Sequence, residues 1–236
     1  MKKLISLILA AALTLCLLAG CAAKPAPSLE LPPVTERRAY ALEDTFALSC
    51  DGEGFVLSGT GLGLSREQVA AAYGYGFGPG DAFWKTREAP PSGEIRFGMT
   101  YTEVEDLVSG NTAESSYARH IGTGCCNSLC GGLCDVGFIF NAGSGALDVI
   151  TIRFPEGGDD AATWFELYSR FTELFGAPDE AAQTRGFTTP DELRTLLSET
   201  DAVPTVAWSR GAERLVLKPD LFARGRRQVS VTISRP

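Results

Sequence analysis

The chain has 236 residues, a formal charge of −8 and an apolar content of 44 %. That size suits one medium domain or two small ones, with enough apolar material for a sizeable core. Net acidity argues against nucleic-acid binding, which wants clustered Lys and Arg against phosphate. It argues equally against a polybasic second contact with a membrane.

The chain opens MKKLISLILAAALTLCLLAGC. Lys2 and Lys3 precede an apolar run, Leu4–Ala19, that carries no charge and falls short of the about 17–25 residues of a spanning helix. The run ends in Leu18-Ala19-Gly20-Cys21, which resembles the lipobox of bacterial lipoproteins. The resemblance implies that residues 1–20 are a signal peptide and that Cys21 becomes the first residue. It also implies covalent lipid on Cys21, with at least two acyl chains of the palmitate kind. One chain holds a protein to a bilayer only marginally, whereas two hold it firmly. The expectation is therefore a lipid-anchored protein of the cell membrane or outer membrane, facing outside the cytoplasm. Ala22 in place of an aspartate favours the outer membrane where there are two. Residues 21–37 read as lipidated cysteine and Pro/Ala-rich linker, and residues 38–236 as the globular region.

In chain order, the first marked element is LSREQVAAAYG. Ser65 and Gln68 form a capping box, Leu64 and Val69 suit a hydrophobic staple, and Gly74 ends the helix. Gly59, Gly61 and Gly63 before it fit a tight strand-to-helix turn, without the Lys-Ser/Thr ending of a phosphate loop. Residues 73–93 are rich in glycine, proline and aromatics and read as a loop. Tyr75 and Trp84 in it are candidate ligand contacts. EIRFGMTY, residues 94–101, alternates like a strand. Glu103 and Glu105 would share a face only on a strand, and solvated acids are the plainer reading. Residues 111–120 read as a polar loop.

Residues 136–154 predict a hairpin around residues 141–145, with Ile150, Ile152 and Phe154 on the apolar face. The clearest helix spans Asp160–Phe175, with Trp164, Leu167, Phe171 and Leu174 as its buried stripe and Tyr168 and Phe175 alongside. Gly176 and Pro178 end it. Thr189, Pro190 and Glu192 give N-cap, first turn and capping box of a short helix to about Leu197. PTVAWSR, AERLVLKP and RQVSVTISR complete the chain as an antiparallel meander. Helices and hairpins segregate, so the expected fold is α+β: antiparallel meanders packed with two or three helices.

GLGLSREQVAAAYGYGFGPGD resembles the opening helix of small outer-membrane assembly lipoproteins, on Gly63, Leu64, Ser65, Glu67, Gln68, Val69, Gly74 and Pro79. FTELFGAPD, with Phe175, Gly176, Pro178 and Asp179, is a second echo. The resemblance extends to paired modules of the β-lactamase-inhibitor kind. It implies two related modules, residues 38–158 and 159–236, in a family of scaffolding and protein-binding domains rather than enzymes. The chain departs from that family in its cysteine-rich stretch.

That stretch, GTGCCNSLCGGLC, holds Cys125, Cys126, Cys130 and Cys134, four of the seven cysteines. With Cys16 removed and Cys21 acylated, Cys50 is the fifth thiol, an odd total. One or two local disulfides would pin the loop. A metal site would use these thiolates, with His120 as an alternative ligand. Helical spacing of Cys126, Cys130 and Cys134 would instead make a buried stripe. His120 is the one histidine, and no serine-hydrolase or zinc-protease motif accompanies it. No cofactor beyond the covalent lipid on Cys21 is implied. Two functions stay open: an envelope lipoprotein that binds another protein, and a binder of a small cell-wall sugar or peptide. An enzyme is the weaker alternative.

Overall fold

Local capping and alternating burial build the elements of the computed structural model, which describes residues 42–73, 90–108, 119–124, 127–154, 160–182, 184, 187–199, 203–222 and 226–235. Strands β1 (Phe46–Cys50) and β2 (Phe55–Thr60) form a hairpin. The Asp51 carboxylate closes its turn by accepting the N–H groups of Glu53 and Gly54. Gly61, at φ 75°, turns the chain toward helix α1 (Arg66–Tyr73). The capping box forms in both directions: Gln68 accepts the Ser65 N–H at 2.7 Å, and Ser65 Oγ accepts the Gln68 N–H at 3.2 Å. Strand β3 (Ser92–Ile95) returns to β2, giving a three-stranded sheet in the order β1-β2-β3.

The strand expected over residues 94–101 stops at Ile95, and helix α2 (Tyr101–Val108) follows. Thr100 is its N-cap. Glu103 accepts the Thr100 N–H at 2.7 Å and its hydroxyl at 2.8 Å. Glu103 and Glu105 therefore sit two apart on a helix and point to different sides, which corrects the shared strand face. The box Thr100-x-x-Glu103 decides the segment, because it satisfies donors that a strand would leave to a neighbour.

Next come β4 (His120–Gly122), β5 (Asn127–Leu129), β6 (Gly132–Phe140) and β7 (Leu147–Arg153). Helix α3 (Asp160–Phe175) leads to β8 (Glu180–Ala182), helix α4 (Pro190–Glu199), β9 (Thr205–Arg210), β10 (Glu213–Phe222) and β11 (Arg226–Ser234). The fold is α+β, with four helices among the described residues rather than two or three. Eight strands make one antiparallel sheet in the order β4-β6-β7-β11-β10-β9-β8, with β5 also on β6. Strand β7 pairs with β11, so this sheet runs continuously across residue 158.

One face of the sheet is the core. Ile121, Phe138, Ile150, Ile152, Val231, Ile233, Leu215, Leu217, Val206 and Trp208 are all buried there. Trp164, Leu167, Tyr168, Phe171 and Phe175 of α3 join the same hydrophobic cluster. Phe171 meets Trp208 edge-on at 5.8 Å. Each such ring contributes about 1.5–3 kcal/mol through burial. Leu174, expected in the buried stripe, is 52 % exposed. The stripe follows Trp164, Leu167, Tyr168, Phe171 and Phe175, and Leu174 falls beside it. Gly176 ends α3 in the left-handed region at φ 78°, and its carbonyl accepts the Trp208 Nε1–H at 2.9 Å.

The small sheet joins the same hydrophobic cluster through Phe46, Leu48, Phe55, Leu57 and Ile95, and two of its contacts are specific. Phe55 meets Phe175 edge-on at 5.3 Å. Glu213, 4 % exposed, accepts the Phe55 N–H at 2.7 Å and pairs with Arg235 at 2.8 Å. Gly54 makes room for that carboxylate, since a Cβ there would lie 2.2 Å from Glu213 Oε2.

Candidate functional site

Strand alternation sends one set of side chains to the core and leaves the other set on the opposite face of the large sheet. In register across β4, β6, β7, β11 and β10, that opposite face carries His120, Ile139 and Val149 in one row. Gly122, Gly137, Thr151 and Thr232 form the next, and Asp135, Arg153, Ser230 and Lys218 the third. Arg153 is exposed, and His120, Asp135, Thr151, Thr232 and Lys218 are half-buried. Among the described residues Ile139 is one of three large apolar residues left exposed, with Leu62 and Leu174.

Gly137, in the middle of this face, is covered by its neighbours' side chains. A Cβ there would lie 2.7 Å from Thr151 Oγ1 and 3.0 Å from His120 Nε2. The imidazole and the threonine thus close over the strand backbone, a position only glycine allows. The Thr151 hydroxyl donates to the Gly137 carbonyl at 3.4 Å. One row on, Asp135 stands opposite Arg153. Burial pushes the Asp135 carboxyl above its ordinary pKa, while Arg153, His120 and the Gly124 N–H pull the other way. Its Oδ1 is buried without a hydrogen-bond partner. At the far side Asp220 accepts the Ser230 hydroxyl and pairs with Lys218 at 2.8 Å. The face therefore offers an apolar edge and an exposed guanidinium within a few strand spacings.

The cysteine-rich stretch folds differently from a helical stripe. Strands β5 and β6 form a hairpin, joined by the two-residue turn Cys130-Gly131. Both residues are left-handed, at φ 52° and 74°, the backbone that a type I′ turn requires. A strand hairpin puts Cys130 at a turn and Cys134 opposite Asn127, so the helical spacing of Cys126, Cys130 and Cys134 has no meaning here. Burial, and then the Asp44 carboxylate, pushes the Cys130 thiol up to about 12. Cys50, Cys130 and Cys134 stand in no disulfide. Among the described residues His120 and these thiols form no group able to hold a metal ion. Cys125 and Cys126 lie outside the described residues, as do Cys21, Tyr75 and Trp84.

Asp44 and Asp135, the two carboxylates with the most telling surroundings, carry no signal in the sequence. Asp44 contacts Gly131 from 87 residues away. Asp135 precedes an apolar run and reads as a strand boundary until the register with Arg153 is known.

The fold class is an α+β antiparallel sheet, and the candidate site is the half-buried face of the large sheet opposite the core. Comparison with known proteins finds no family model, no characterised protein and no solved structure that matches the chain. Among the described residues no helix is long and apolar enough to cross a membrane.

Proposed function

We propose that the protein is a lipid-anchored, extracytoplasmic lipoprotein, acylated on Cys21, that binds another envelope protein through the face of its large sheet opposite the core. The binding is non-catalytic in this reading. One observation carries it: exposed Ile139 lies in register between His120 and Val149, with Gly137 and Thr151 in the next row and exposed Arg153 in the row beyond. An exposed apolar side chain with an arginine on the same face is what protein interfaces concentrate. The lipobox residues Leu18-Ala19-Gly20-Cys21 supply the anchoring half of the proposal.

The finer architecture in this proposal is two related modules, residues 38–158 and 159–236. Strand order supports it. β4-β6-β7 and β9-β10-β11 run outward from a common seam between the last strands, β7 and β11. Each trio follows a helix. In this reading the β5 hairpin is an insertion between β4 and β6, where the second module has only the turn at Gly211-Ala212.

The test has two parts. Mass spectrometry of the N-terminal peptide from envelope preparations should show acyl chains on Cys21, and Cys21→Ser should release the protein from membranes. Partners captured by the intact protein should be lost with Ile139→Asp plus Arg153→Glu while circular dichroism stays unchanged. Capture that survives the double substitution would move the interface elsewhere.

A further inference from the structure

The chain enters the described fold at Leu42 and runs antiparallel beside β5 before it becomes β1. The Leu42 N–H donates to the Gly131 carbonyl and the Thr45 N–H to the Ser128 carbonyl, each at 3.1 Å. Leu42 thus faces Gly131, and Thr45 faces Ser128, in one constant register. Side chains reinforce it. Thr45 Oγ1 accepts the Ser128 N–H at 3.0 Å, and Ser128 Oγ donates to the Glu43 carbonyl at 2.5 Å. Asp44 Oδ1 accepts the Gly131 N–H at 2.7 Å, at the left-handed turn itself. Thr45, Asn127 and Ser128 are fully buried. These bonds join stretches more than eighty residues apart, between the N-terminal arm and the cysteine hairpin.

We propose that residues 42–45 and the hairpin Asn127–Cys134 form a mooring: the place where a pull on the N-terminal arm is taken up by the domain. The biological use rests on the lipoprotein reading, because a lipid on Cys21 would deliver membrane tension and thermal drag to Leu42 through residues 22–41. The physical claim stands without it. Residues 42–45 run antiparallel to β5, so a pull delivered along their axis loads them as a strand in shear. Their bonds to β5 lie across that axis, so several are strained together rather than opened singly. Asp44 recruits the N–H groups of the left-handed turn for the arm. The junction gives the cysteine-rich stretch a task that needs neither metal nor disulfide: its tight turn and buried Asn127-Ser128 pair build a ledge for the arm.

The test is force spectroscopy on the mature chain, residues 21–236, held by peptide tags at its two ends. The first rupture from the N-terminal side should release the arm from the hairpin. Asp44→Ala and Ser128→Ala should each raise its rate at fixed force by about 2- to 10-fold, the range for loss of one or two hydrogen bonds. Asp44→Asn keeps an acceptor oxygen and should stay within about twofold of the parent. Asp44→Ala, at a half-buried site, serves if Ser128→Ala disturbs the hairpin itself. Unchanged rupture rates in both alanine variants would overturn the mooring. The acylation state of Cys21, read by mass, decides the lipoprotein reading separately, since the force measurement does not involve lipid.

Discussion

Thr151 of β7 and Thr232 of β11 face each other at the centre of the seam where the two halves of the large sheet join. Five residue pairs cross that seam, from Ser230 with Arg153 to Ser234 with Val149. Beneath the threonines, Ile152 pairs with Val231 and Ile150 with Ile233, and all four are buried. The halves therefore share ladder hydrogen bonds and a core, which predicts one cooperative unfolding transition rather than two. Ile152→Ala should cost about 2–5 kcal/mol and shift the whole urea curve. Tryptophan fluorescence and far-ultraviolet dichroism should report the same midpoint. Two separated transitions would mean that the seam does not couple the halves.

Glu213 predicts a coupling at the other end of the sheet. Its carboxylate holds the Phe55 N–H and Arg235 while filling the space beside Gly54. Glu213→Ala leaves a buried N–H without a partner, at a cost of about 1–3 kcal/mol. Gly54→Ala should also destabilise, by about 1–3 kcal/mol, because the methyl must displace the carboxylate. The two losses share one cause. In a double-mutant cycle, Gly54→Ala should cost clearly less in the Glu213→Ala background than alone. Additive losses would show that the glycine is needed for something other than the carboxylate.

These contacts mark where sequence reasoning reached its limit. Capping boxes are local, so Ser65 with Gln68 and Thr189 with Glu192 were legible, and both form. The alternation of residues 147–154 and the aromatic stripe of α3 were legible for the same reason. Thr100-x-x-Glu103 carries the same local signal. There the preceding alternation of EIRFGMTY competes with it, and the cap prevails. Strand order is a different matter. Nothing in the period of β7 says that its neighbour is β11, and so nothing could place Asp135, Arg153 and Thr232 on one face. The Cys130-Gly131 turn was hidden by the chemistry that cysteines suggest. Asn-Gly would have announced a type I′ turn, whereas Cys-Gly suggested ligands or a crosslink.

Asp44 makes a pH prediction with a definite sign. Burial raises its carboxyl above the ordinary 3.8, against the lowering effect of the Gly131 and Cys130 N–H groups and of Arg170. A group whose folded pKa is raised contributes stability that is fully present below its unfolded pKa. That contribution is lost as pH rises through the folded value. The window therefore opens near 3.8 and extends upward. Asp44→Asn, uncharged at every pH, should remove this dependence and match or exceed the parent's stability at neutral pH. Urea midpoints of the two proteins across the acid range measure it. A parent that loses stability relative to Asp44→Asn on acidification through that window would reverse the assignment.

Cys130 gives the last prediction, and it concerns reactivity. Its thiol is pushed up to about 12 from an ordinary 9.0 by burial and by Asp44. The thiolate is the nucleophile, so at pH 8 its population should be about a thousandfold below that of an unperturbed thiol. Cys134 is fully buried in β6. Both should resist iodoacetamide in the folded protein and react once it is unfolded in urea, as read by peptide mass. Fast modification of Cys130 under native conditions would mean that the hairpin opens on the labelling timescale. In that case Asp44→Ala, which cuts the arm's hold on the turn, should accelerate it further. The same modification in parent and variant would instead place the thiol outside the influence of the arm.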